Sequence, residues 1–157
     1  MKWQILNKSK KDIIKSLLKN RNLKTKKEIN DFLNPKDPKE IKIEEIGITQ
    51  KALKRVLSRL KIAKHKKEKI VIFGDYDADG VPGTSVLALT LKKLGHANFD
   101  IYIPDRHEES YGLSLEAIKS IAEAGTKLII TVDCGITDKD EVTLANELGV
   151  DVIITDH

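Results

Sequence analysis

Lys69-Ile70-Val71-Ile72-Phe73-Gly74-Asp75-Tyr76-Asp77-Ala78-Asp79-Gly80 joins a short apolar strand, Ile70 to Phe73, to three aspartates at alternate positions closed off by Gly80. Three carboxylates this close repel one another, and a fold accepts them when a cation neutralises their charge. The run is the strongest evidence in the chain for a divalent metal site.

Three more runs rich in Ile and Val follow it: Phe99–Ile103, Leu128–Val132 and Val152–Thr155. Helical stretches at about 83–94, 114–124 and 138–148 lie around them, the first two followed by Gly95 and Gly125, which suit helix C-termini. Strand and helix alternating at this spacing predict a parallel sheet covered by helices, with ligands beyond the carboxyl ends of the strands. Asp75, Asp77, Asp79, Asp133 and the Asp156-His157 pair are therefore expected along one edge of the sheet. Upstream, residues 8–34 predict two short helices, and 35–47, with Pro35, Pro38 and Gly47, an exposed connection. Thr49 can cap a helix that runs to about Lys66. The expected fold class is α/β: a parallel sheet flanked by helices over residues 68–157, preceded by a small basic helical region over residues 1–67.

The net charge of +4 conceals a segregation of sign: residues 1–69 hold 22 Lys and Arg against 8 Asp and Glu, and the other 88 hold 6 against 16. Solvated lysine-rich helices account for the first part taken alone. A basic piece joined to an acidic one also suits an anionic polymer held by the first and cations held by the second. The single cysteine, Cys134, cannot form an internal disulfide, and the polar start lacks the apolar core of a signal peptide. No stretch approaches a membrane span. The expectation is a soluble cytoplasmic protein with no membrane partner.

Asp-x-Asp-x-Asp-Gly also opens the calcium loop of an EF-hand, but the twelfth position from Asp75 is Val86 where a bidentate Glu is required. The preceding element is a strand rather than a helix. A phosphate cradle fits Gly80 and Gly83, but the lysine of a P-loop is missing. A phosphorylation receiver domain would need one acid pair on the first strand and a lysine late in the sheet. What remains is a carboxylate-rich dinuclear site, in which Asp133 could bridge two metals and His157 could supply a nitrogen ligand. Such ligands suit manganese, with magnesium second. Cys134 has no histidine placed to activate it and reads as a small buried residue; His65, His96 and His107 read as surface residues.

Asp75-Tyr76-Asp77-Ala78-Asp79-Gly80, Val132-Asp133-Cys134-Gly135 and Asp156-His157 resemble the first three motifs of the DHH phosphoesterase superfamily. Trp3, Phe32-Leu33-Asn34-Pro35, Ile103-Pro104-Asp105-Arg106 and Tyr111-Gly112-Leu113 are similar to features of its RecJ single-stranded-DNA exonucleases. The resemblance implies a 5′-to-3′ exonuclease of repair and recombination that activates water at two metal ions, Mn2+ or Mg2+. It implies that Asp75, Asp77 and Asp133 hold one ion, that Asp79, Asp133 and His157 hold the other, and that Asp156 orients the cluster. Arg106 and the basic N-terminal helices would meet the backbone of single-stranded DNA, with a single-strand-binding protein and a helicase as further partners, while Tyr76 and Tyr111 read as packing residues or as faces on which bases stack. Val81-Pro82-Gly83-Thr84 and Ser110 depart from the family pattern, and the family's second DHH histidine, a later aspartate and the C-terminal half of its catalytic core have no counterpart. The expectation is an N-terminal fragment, a truncated DHH domain, inactive alone. Two alternatives stay open: a DHH phosphoesterase for short oligonucleotides or cyclic dinucleotides, and a non-catalytic nucleic-acid-binding fragment.

Overall fold

The computed structural model describes residues 12–107 and 109–156, so Trp3 and His157 lie outside the described residues. The chain divides into two compact units, Met1–Gln50 and Lys51–His157.

In the first unit, α1 (Ile13–Asn20) opens at Asp12, whose carboxylate accepts the Lys15 N–H at 2.9 Å. A reciprocal capping box starts α2 (Lys26–Leu33): the Thr25 hydroxyl accepts the Glu28 N–H while the Glu28 carboxylate accepts the Thr25 N–H. Two 3-10 turns, Pro38–Glu40 and Ile43–Ile46, lie within the connection between residues 35 and 47. Leu18 alone is buried among the described residues here, so this unit is nearly all surface.

The second unit holds α3 (Gln50–Lys66), β1 (Lys69–Gly74), α4 (Gly80–Lys93), β2 (Phe99–Tyr102), α5 (Leu115–Glu123), β3 (Thr126–Val132), α6 (Lys139–Glu147) and β4 (Asp151–Ile153). All strand pairs are parallel, in the order β2-β1-β3-β4. Alternate residues of β1 and β3 feed opposite faces, as the two-residue period of a strand requires. Val71, Phe73 and Ile129 pack with Ala117, Ile118 and Ile121 of α5 and Ala145 of α6. Ile70, Ile72, Leu128 and Ile130 pack with Ala63 of α3 and Leu91 of α4. Burial on both faces explains why the central strands read as largely apolar runs.

Strand order makes the site. The chain leaves β1 for β2 on one side, then crosses to β3 on the other, so the carboxyl ends of β1 and β3 form the topological switch point. The register pairs Gly74 with Val132, which sets Asp75 and Asp133, the next residues, side by side.

Three sequence expectations shift. Helix α4 begins at Gly80 rather than near residue 83 because its first residue lies against the β1 exit: a Cβ on Gly80 would stand 2.5 Å from the Asp75 carbonyl oxygen. Strand β4 spans Asp151–Ile153 rather than Val152–Thr155, with the Asp133 N–H still donating to the Thr155 carbonyl at 2.9 Å past its end. His96 is buried rather than on the surface, because the Gly95 turn after α4 folds it into a crevice shared with Ala63, Lys64 and Lys67.

Gly74 is required by a close approach, since a Cβ there would lie 2.0 Å from Thr84 Oγ1, a buried hydroxyl with no hydrogen-bond partner. Gly74→Ala should cost about 1–3 kcal/mol through overpacking. Adding Thr84→Ala should recover part of that loss, with a coupling on the order of 1 kcal/mol in a urea-unfolding double-mutant cycle. Strictly additive costs would show that the two residues do not meet.

Candidate metal centre

Asp75 and Asp133 extend β1 and β3, and the Asp75 N–H donates to the Val132 carbonyl at 3.2 Å, which continues the ladder one step past the strands. Asp77 follows in the turn that leads into α4. One carboxylate oxygen from each of Asp75, Asp77 and Asp133 lies within 4.8 Å of the other two. Asp75 is buried, Asp133 half-buried and Asp77 exposed, so the cluster opens to solvent on one side.

The local backbone places each acid differently. Asp77 Oδ1 accepts the N–H groups of Gly80 and Asp79, both at 2.9 Å, and these bonds hold its carboxyl below the usual range. Burial raises the Asp75 carboxyl above that range; its bond from the Tyr76 N–H at 2.7 Å opposes the rise, and the charges of Asp77 and Asp133 add to it. Three crowded hard oxygen donors, two of which raise the proton affinity of the buried Asp75, are a donor set for a hard divalent cation such as magnesium or manganese, whose charge relieves the repulsion. The residues present fit the ion.

The remaining sequence candidates stand around this trio. Asp79 is exposed just ahead of α4 and outside the trio, joined to it through its own N–H on Asp77. Asp156 is half-buried, and its Oδ2 accepts the Ile136 N–H at 2.9 Å. Arg106 places its guanidinium 4.8 Å from the centre of the Tyr76 ring, and its charge favours the ionised forms of Asp75 and Asp77. Tyr111 is half-exposed, and its phenol donates to the Asp133 backbone carbonyl at 2.8 Å. Burial, followed by the nearby charge of Asp156, raises the Tyr111 phenol above its ordinary value, so it stays a donor. The Cys134 thiol is pushed up to about 12 by burial and points at the Phe73 carbonyl, 3.8 Å away, so it is inert at neutral pH.

Two supporting contacts were not legible in the sequence. Asp138 stands at the start of the stretch read as a helix, yet its Oδ2 accepts the Leu113 N–H at 2.7 Å instead of capping α6. Glu109 accepts the Tyr102 phenol at 2.6 Å and the Asp105 N–H at 3.2 Å, which closes the loop that carries Arg106. The Asp138 bond joins residues that only the tertiary fold brings together, and the Glu109 bonds lie within one loop that has no helical or strand period to announce them. Elsewhere, a groove of about 1000 Å³ between α3 and β4 is lined by Lys54, Arg55, Arg59, Val152 and Ile154 and holds none of the acidic trio. Among the described residues no helix is long and apolar enough to cross a membrane.

Known proteins resemble this chain in sequence and in fold. The chain is 48% identical to the single-stranded-DNA-specific exonuclease RecJ of Bacillus subtilis over 145 residues, 92% of this chain and 18% of that protein. It is 43% identical to the protein of the same name from Thermus thermophilus over 107 residues, 68% of this chain and 16% of that one. The chain thus spans under a fifth of the length of these relatives. Among solved structures, exonuclease RecJ bound to manganese superposes with a TM-score of 0.63 at 41% identity, over 70% of this chain and 28% of that one. RecJ in complex with Mn2+ from Thermus thermophilus gives 0.56 at 37% identity, over 67% and 14%. The profile of the DHH family, N-terminal domain, matches residues 69–157, which begin with β1 and take in the whole acidic trio, and the chain belongs to the DHH family.

Proposed function

We propose that this chain forms the N-terminal, metal-binding part of a 5′-to-3′ exonuclease that degrades single-stranded DNA in repair and recombination. The observation that carries the reading is the trio Asp75, Asp77 and Asp133, gathered at the switch point of a parallel sheet. Its support from relatives is the 48% identity to an exonuclease of that specificity and the likeness to a manganese-bound structure.

Asp75, Asp77 and Asp133 would hold a manganese ion, with magnesium as the second choice, and Asp79, Asp133 and His157 would hold another. Bound there, divalent ions supply a nucleophile from water at neutral pH and neutralise charge on the phosphodiester. The protein's own part is placement. Burial keeps water from screening Asp75, the Asp79 and Gly80 N–H groups aim Asp77, and Asp156 braces the segment after β3 through the Ile136 N–H. Arg106, seated on Tyr76, offers a cation to a DNA phosphate beside the acids, and the exposed ring of Tyr111 offers a face to a base. In this reading residues 1–67 form the basic region that follows the strand, and residues 68–157 the catalytic domain. The same reading carries a cytoplasmic location and, as partners, a single-strand-binding protein and a helicase.

The test uses the full-length exonuclease carrying this sequence and a 5′-labelled single-stranded oligonucleotide with Mn2+. Wild type should release label from the 5′ end, and Asp133→Ala should fall to background with an unchanged circular dichroism spectrum. Retained manganese-dependent hydrolysis in Asp133→Ala would overturn the mechanism, and faster turnover of dinucleotides than of long strands would overturn the substrate. Arg106→Ala should weaken binding evenly across sequences and lower the log–log salt slope by about 0.7, the value of one phosphate contact on a single strand. An unchanged slope would remove Arg106 from the phosphate path.

A further inference from the structure

We infer that Tyr111 is a positioning residue for the metal centre: its phenol locks the left-handed backbone of Asp133 and so aims that carboxylate at Asp75 and Asp77. The inference rests on the reading of the trio as a metal site. Asp133 has φ of +62°, a conformation that a side chain with a Cβ disfavours and that persists when its surroundings over-determine it. Its neighbours do so from two sides. The Asp133 N–H donates to the Thr155 carbonyl at 2.9 Å, and Thr155 is itself held by Thr131, whose backbone carbonyl accepts the Thr155 hydroxyl. The Asp133 carbonyl accepts the Tyr111 phenol at 2.8 Å. Rotation of Asp133 into the extended region would break both bonds and swing its carboxylate away from the trio.

The phenol can act as a brace because its own loop is fastened. The Leu113 N–H is bound to Asp138 at 2.7 Å, and Leu113 is buried in the core. Gly112, with φ of +85°, lies so near the same carboxylate that a Cβ would come within 2.5 Å of Asp138 Oδ2. Glu109 closes the other side of the loop against Tyr102 and Asp105. The hydroxyl of Tyr111 is therefore committed to the protein, while the residue as a whole stays 54% exposed to solvent or to a base.

Tyr111→Phe separates the two roles, since it keeps the ring and removes the donor. In the full chain, Mn2+ binding followed by loss of the free-ion electron paramagnetic resonance signal should weaken about tenfold, as for other residues that orient a metal ligand. The far-ultraviolet circular dichroism spectrum should stay unchanged, so that the lost Mn2+ affinity is not unfolding. In the metal-free protein the carbonyl carbon resonance of Asp133 should move. Mn2+ affinity equal to wild type, an unmoved Asp133 carbonyl, or a loss of DNA affinity in place of metal affinity would each overturn the positioning role. Asp77→Ala serves as the reference for the metal site itself. Equal, unsaturable Mn2+ titrations of wild type and Asp77→Ala would overturn the metal reading and this inference with it, a result distinct from normal wild-type binding that Tyr111→Phe leaves intact.

Discussion

The repulsion among Asp75, Asp77 and Asp133 is the constraint to which the rest of the second unit is fitted. Two unit charges about 4 Å apart near a protein surface repel by on the order of 4 kcal/mol. A whole domain is stable by only about 5–15 kcal/mol, so such a cluster needs compensation from its surroundings. Part of it is built in. The N–H groups of Tyr76, Asp79 and Gly80 point at Asp75 and Asp77, and the Arg106 guanidinium lies close enough to favour their ionised forms. These groups do not cancel the burial of Asp75, whose carboxyl is still raised. The residual repulsion is what a divalent cation removes, so metal affinity and fold are two sides of one electrostatic balance.

Apolar packing supplies the force that holds the acids together against that repulsion. Each central strand is buried on both faces, and a one-residue slip of β1 against β3 would break the Gly74–Val132 pairing and part Asp75 from Asp133. Helix α4 adds a second restraint. Its first residue, Gly80, approaches the Asp75 carbonyl so closely that a side chain is excluded, and Thr84 one turn later fills the space above Gly74. The small residues around the acidic run therefore act in packing, bringing a helix start down onto the strand exit. The Gly80 and Gly83 spacing that suggests a phosphate cradle is used for this approach instead.

Much of this was legible in the sequence, for a physical reason. The short runs Ile70–Phe73 and Leu128–Val132, rich in Ile and Val and broken only by Thr131, suit strands covered on both sides, and the acids that follow them then sit at strand ends. Periodicity does not specify which strands are neighbours, so the contact between Asp75 and Asp133 came from topology. Helix Gln50–Lys66 was clear from its one apolar face. The burial of His96 was not, because it follows from how a glycine turn meets the end of α3. Tyr111 offers the sharpest contrast. The sequence leaves its ring to packing or to stacking on bases, whereas its hydroxyl binds a carbonyl 22 residues away that only the folded chain brings near.

The division of labour in the site follows from where its parts originate. The acids come from segments that continue β1 and β3, and most of the groups that brace them come from elsewhere. Arg106 and Tyr111 stand on the loop between β2 and α5, Thr155 follows β4, and Asp138 precedes α6. One loop thus touches both acid-bearing segments, Tyr76 through Arg106 and Asp133 through Tyr111. The acids could be read from two short motifs, but their geometry is set by contacts from Arg106, Tyr111, Thr155 and Asp138 that neither motif contains.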